Sequence, residues 1–284
     1  MKRGTKIGWL LIALSVILSV WVIVSQSSDA SQTTESGLVL SDDGTVLEQY
    51  TGSGGTVTIP DGVTTISAGV FKEKDVTQVI MPSSVTSMGT GVFSGCSSLA
   101  SVSLSTSLNS IPEDSFRECL SLGSVAIPDS ATTIASNAFY GCASLSSVSI
   151  PASVSNISTD AFSGCGNLSD ISVASGNGAY ASSDGCLYNA SKTRLLLVPE
   201  GKTSLAIAAG TTTIGAGALQ NCTGISSVSL PNGVTTIEAN AFSDSSVETI
   251  TIPATVTSIA SQGSWKPSTI YGASGSAAEQ YAKN

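Results

Sequence analysis

Six cysteines and no histidine set the chemical possibilities of this 284-residue chain. Five of the thiols, Cys96, Cys119, Cys142, Cys165 and Cys222, each lie three residues after a bulky apolar residue: Phe93, Phe116, Phe139, Phe162 or Leu219. Single thiols 23 residues apart lack the paired C-x-x-C spacing of a tetrahedral zinc site. Disulfides are open to an exported chain, and so is a ladder of buried thiols packed as small apolar groups; the ladder is the simpler reading. Cys186 stands outside the series and reads as a core residue beside a turn.

The absence of histidine removes Ser-His-Asp and Cys-His catalysis, imidazole ligation of metals and pH sensing near neutrality. Carboxylates do cluster, Glu73 with Asp75 and Glu113 with Asp114 and Glu118, but on turn-like segments where a solvated surface role is expected. No G-x-S-x-G elbow, phosphate loop or Asp-x-Asp calcium loop occurs. The chain therefore reads as non-catalytic, without metal or cofactor.

The elements that place these thiols follow from the period. All six phenylalanines, Phe71, Phe93, Phe116, Phe139, Phe162 and Phe242, fall in one phase, with first spacings of 22, 23, 23 and 23. Leu219 stands 23 before Phe242 and shares that phase. Three residues beyond each Cys of the column comes Leu99, Leu122, Leu145, Leu168 or Ile225, then an alternating run such as Val148-Ser149-Ile150 closed by Pro151. A fixed period in the twenties marks a solenoid of roughly nine coils. Each alternating run predicts a short strand, with Val148 and Ile150 inward and Ser147 and Ser149 outward. Stacked coils would set such strands side by side in a parallel sheet, with the "TDAF" segment (Thr159 to Phe162) as one helical or 3₁₀ turn on the other side.

Charge and hydropathy limit the partners. Three of eleven basic residues lie in the first six positions, which leaves eight against twenty acidic residues in the remainder and argues against nucleic acid. Residues 7–24 form an uncharged apolar run behind Lys2, Arg3 and Lys6, long enough to span a membrane. Its length favours an uncleaved anchor, although Ser28-Asp29-Ala30 offers a cleavage site for a signal peptide. Both readings of residues 1–30 put the body on the outer side of the membrane. A polar linker over 31–36 follows.

The unit V-x-x-I-x-x-x-A-F-x-G-C-x-x-L-x-x-V-x-I-P resembles the repeat of BspA-like leucine-rich-repeat surface proteins of bacteria. That resemblance implies a mainly β leucine-rich-repeat solenoid over 57–270, an N-terminal cap hairpin over 37–56 and a C-terminal cap over 271–284. A hairpin insertion over 174–201 accounts for the spacing of 57 between Phe162 and Leu219. The resemblance also implies a cell-surface protein binding host or neighbouring-cell proteins such as glycoproteins, and the chain is expected to be a monomer. A spacer or envelope component without a ligand is the alternative, because the outward strand positions carry Ser and Thr instead of the Trp, Tyr and Arg of interface hot spots. The insertion breaks that uniform surface, so Asp170, Tyr180, Tyr188, Lys192 and Arg194 are the expected ligand contacts.

Overall fold

A computed structural model describes residues 32–283. The apolar run 7–24 and its anchor or signal role lie outside the described residues; among those described, no helix is long and apolar enough to cross a membrane. The body is a mainly β solenoid of about ten turns with stacked parallel strands. Its one helix among the described residues, Ala277–Ala282, lies at the C-terminal end.

Each coil contributes to three ladders. The first joins the alternating runs: Gly55–Thr58, Val76–Ile80 and Ser101–Ser103 pair in parallel, as do Ser147–Ile150 with Asp170–Val173. Ser227–Ser229, Thr249–Thr251 and Thr269–Tyr271 continue it beyond the insertion. In these strands Val148, Ile171, Val228 and Ile250 are buried while Ser147, Ser149 and Ser229 are exposed, as the alternation requires. The second ladder stacks two-residue strands such as Ser110–Ile111, Thr133–Ile134 and Asn156–Ile157.

The third ladder runs through the turns that carry the phenylalanines. Phe93 N–H donates to Ser115 C=O at 2.9 Å, Phe116 to Ala138 at 2.8 Å and Phe139 to Ala161 at 2.8 Å, each one coil ahead. Of the two forms expected at "TDAF", an α-helical turn is absent, and the segment makes tight turns closed three residues apart as in a 3₁₀ turn, Ala161 N–H on Ser158 C=O and Ser163 N–H on Asp160 C=O, both at 3.1 Å. A helix would claim amides that the neighbouring coil already holds. Two residues past each Phe the backbone turns left-handed, with Gly95 at φ 73° and Gly141 at φ 70°, although Glu73 and Glu118 accept the same conformation.

Inside, the rings of Phe71, Phe93, Phe116, Phe139 and Phe162 stack in sequence with centroids 5.3–5.4 Å apart. The column extends past the phenylalanines at both ends, to Tyr50, 21 residues before Phe71, and to Trp265, 23 after Phe242. Tyr50 packs against Phe71 at 5.0 Å, and Trp265 stacks on Phe242 at 4.6 Å. Surface hydroxyls also serve the stack: Ser130 Oγ donates to Leu108 C=O, and Ser153 Oγ to Ala131 C=O, both at 2.7 Å across one coil. Each such hydroxyl adds a bond between coils, one use of the abundant Ser and Thr.

The ends are closed. Leu38–Leu40 and Val46–Tyr50 form an antiparallel hairpin around a turn at Asp42–Gly44, and Val46–Tyr50 pairs in parallel with Thr65–Ile66. Part of the polar stretch 31–36 joins this cap, since Gln32–Thr33 pairs antiparallel with Leu40 and Val39. Thr34 ties it down further, its Oγ1 accepting from Leu38 N–H at 3.0 Å. At the other end the helix Ala277–Ala282 packs over Thr269–Tyr271.

Candidate functional site

The cysteine column is chemically quiet. Cys96, Cys119, Cys142 and Cys165 are free, buried thiols, each donating its S–H to the Phe carbonyl one coil earlier at 2.8–3.1 Å. Cys222 does the same toward Val198 C=O at 3.5 Å. Burial pushes Cys96 up to about 11 and Cys165, Cys186 and Cys222 up to about 12, and raises Cys119 and Cys142 as well. A thiol held neutral is neither nucleophile nor metal ligand. Among the described residues no group of three or more Cys, Asp or Glu side chains is placed to hold a metal ion.

The insertion is where the surface changes character. Tyr180–Ser183, Cys186–Asn189 and Arg194–Leu197 form an antiparallel three-stranded unit, and the last of these pairs in parallel with Thr213–Ile214 of the next coil. Here the two-residue ladder is cut, so that Asn156–Ile157 is an edge strand. A cleft of about 180 Å³ opens at the cut. Ile157, Leu187, Leu196 and Leu197 supply its apolar lining, with Tyr180 and Arg194 beside them. Arg194 is fixed by a bidentate ion pair to Glu238, whose Oε2 also accepts from Ala216 N–H at 2.9 Å. Both partners remain partly exposed, which makes the pair a positioning device more than a source of stability. Tyr180 is fixed through its hydroxyl, which accepts from Ile157 N–H at 2.9 Å.

The five expected contact residues do not converge. Tyr180 and Arg194 share the cleft. Tyr188 is fully buried, and its hydroxyl accepts from Ala208 N–H at 3.2 Å, so it belongs to the core and leaves the contact set. Burial also raises its phenol above the ordinary value. Lys192 is exposed at the hairpin turn, in left-handed conformation at φ 56°. Asp170 is exposed on the long-strand face, beside Gly185.

Sequence reasoning missed the groups that build the site. Leu196 and Leu197 line it, and Glu238, 44 residues away, holds Arg194. Glu200 Oε1 accepts from Gly164 N–H at 2.9 Å, and Asn177 Nδ2 donates to Pro151 and Val154 carbonyls at 2.8 and 2.9 Å. Leu196, Leu197, Glu200 and Asn177 lie where the 23-residue period is broken, and although Glu238 lies in a regular coil, its pairing with Arg194 does not follow from the period.

The coil geometry and the Phe-Cys-Leu columns define a leucine-rich-repeat solenoid. The sequence matches the model of the BspA type leucine rich repeat region in six copies over residues 64–194 and 200–263, and the chain belongs to that family. Such repeats form a protein-interaction scaffold. Comparison with curated proteins gives no significant match. Among solved structures, a leucine-rich repeat protein from Eubacterium ventriosum is 26% identical, covering 86% of this chain and 70% of that one, with a TM-score of 0.63. The pneumococcal vaccine antigen PcpA is 19% identical over 80% of this chain and 57% of its own, with a TM-score of 0.52. A leucine-rich repeat protein from Bacteroides ovatus is 19% identical over 89% and 79%, with a TM-score of 0.51. The last two are similarities of fold alone.

Proposed function

We propose that this chain is a non-catalytic repeat protein of the bacterial cell surface that binds a protein ligand on a host or neighbouring cell, with the cleft at the insertion as its contact. The observation that carries the site is the change in surface at that cut. Elsewhere the hydroxyls point to neighbouring coils or to water, whereas here an apolar floor lies between an anchored tyrosine and an anchored arginine. Buried apolar area beside a rigid Tyr and Arg is the composition of interface hot spots. Membership of the BspA-type family and the apolar run at 7–24 support a place on the outer face of the membrane. The missing histidine and the neutral thiols support the absence of catalysis.

An array of matrix and surface glycoproteins probed with the chain, beside an Arg194→Ala/Leu196→Ser variant, tests this reading. Loss of binding by tenfold or more, equivalent to about 1.4 kcal/mol, is expected in the variant. Equal binding by both proteins removes the cleft from the contact. A second reading, a spacer without a ligand, draws on the hydroxyls already committed to inter-coil bonds; it is the one that survives if no protein on the array is bound.

A further inference from the structure

The insertion repeats the N-terminal cap. At a constant offset of 148 residues, Gly37 corresponds to Gly185, Gly44 to Lys192, Leu47 to Leu195 and Tyr50 to Val198. The backbone agrees at each step. Gly37 and Gly185 are left-handed at φ 82° and 68°, and so are the two turn residues Gly44 and Lys192, at 71° and 56°. The first hairpin pairs Val39 with Gln49 and Leu40 with Leu47 across a one-residue bulge. The second pairs Leu187 with Leu197 and Tyr188 with Leu195 across the same bulge. Each then hands over to a coil in the same register, Leu47 on Ile66 and Leu195 on Ile214, and each carries a further antiparallel strand on its outer side.

The interior divides at the same place. One apolar cluster runs from Leu38 to Leu187, and a second from Cys186 to Ala278. Across the cut, side chains take over much of the role of the backbone ladders. Tyr180 Oη accepts from Ile157 N–H at 2.9 Å, Ser182 Oγ from Val173 N–H at 3.1 Å and Glu200 Oε1 from Gly164 N–H at 2.9 Å. Two backbone bonds remain, Ile171 N–H to Gly185 C=O at 2.9 Å and Gly201 N–H to Leu168 C=O at 2.8 Å. In the N-terminal cap the position of Glu200 is held by Gly52, which has no side chain to make such a bond. Glu200 is therefore one change that turns an end cap into a connector.

We propose that residues 180–201 are a second, internal cap, so that the protein is two capped solenoid units in tandem, able to open independently at a joint held by Tyr180, Ser182 and Glu200. Solenoid stability is a sum of coil terms and nearest-neighbour interface terms, so cooperativity ends where one interface is weak. The buried thiols report on each unit separately: Cys96, Cys119, Cys142 and Cys165 belong to the first core, Cys186 and Cys222 to the second.

Pulse alkylation of the full chain in graded urea, read by peptide mass, tests the joint. Ile150→Val is expected to lower the urea midpoint of the first four thiols and leave Cys222 in place. Ile250→Val is expected to lower the midpoint of Cys222 and leave the first four in place. Should either substitution move all thiols together, the solenoid is one cooperative unit and the proposal fails. Ile150→Ala and Ile250→Ala enlarge the shifts on the same readout, and the comparison within each protein needs no assumption that the units are equally stable.

Discussion

At the scale of single residues, the column dictates what each position tolerates. Phe139 lies between Phe116 and Phe162, with ring centroids 5.3 and 5.4 Å away and no solvent exposure. Phe139→Ala would leave a ring-sized void between two rigid coils and should cost about 3–5 kcal/mol. Phe139→Leu should cost only about 1–2 kcal/mol, since Leu219 occupies the same place in its own coil, and what is lost is ring contact. Urea denaturation of the two variants checks the order and the gap between them. The thiols give a second test with a defined sign. In the unfolded chain a cysteine ionises near pH 8.5, whereas burial holds Cys96 up to about 11 and Cys222 up to about 12. The folded state thus binds protons that the unfolded state has released. This contribution to stability is whole below about pH 8.5 and falls away as pH rises toward 11–12. The urea midpoint should drop between pH 7.5 and pH 10, and the drop should shrink in Cys222→Ala; a flat profile would mean the thiols are not held neutral.

At the scale of elements, the N-terminal hairpin owes its turn to one carboxylate. Asp43 accepts from Ser41 Oγ at 2.7 Å, Thr45 N–H at 3.0 Å and Thr45 Oγ1 at 2.8 Å, and the Ser41 bond leads in pulling its carboxyl down to about 2. Its support of the hairpin is present above the ordinary carboxylate value and disappears as pH falls toward 2. In Asp43→Ala, amide exchange across Val46–Tyr50 should quicken at neutral pH while that of Thr133–Ile134, several coils away, is unchanged. The strand ladders and the Phe and Cys columns were legible in the sequence because a buried position in a stacked coil admits one size of side chain and repeats it. The hairpins at the N-terminal end and at the joint follow only from the family resemblance, and which of their residues face inward does not follow from the period. Tyr50 and Val198 stand 21 residues before Phe71 and Leu219, a shorter spacing than the body uses, because each cap enters its coil from a hairpin. Tyr188, an expected ligand contact, takes instead the inward place that Leu40 holds in the first cap, and only the hairpin register shows that.

At the scale of the whole molecule, a solenoid must end without offering its last rung to another chain. Thr269–Tyr271 is the outermost strand of its sheet, Tyr271 is 59% exposed, and Trp265 lies just inside. What protects this end is the helix Ala277–Ala282, whose Ala278 is buried and whose Tyr281 faces Trp265 with ring centroids 6.3 Å apart. Gly272 makes the closure possible: a Cβ there would lie 2.6 Å from the Cβ of Ala278, a contact that the helix relieves only by moving off. Gly272→Val should therefore lift the helix, uncover Trp265 and expose the edge of Thr269–Tyr271, while the coils before it stay intact. The unprotected edge then pairs between copies, so light scattering after size exclusion should change from one monomer-mass species to a concentration-dependent series of larger ones. Tryptophan emission should shift to the red in the same sample at low concentration, where association is absent. A Gly272→Val protein that stays monomeric with unchanged emission would show that the end is closed by something other than helix docking.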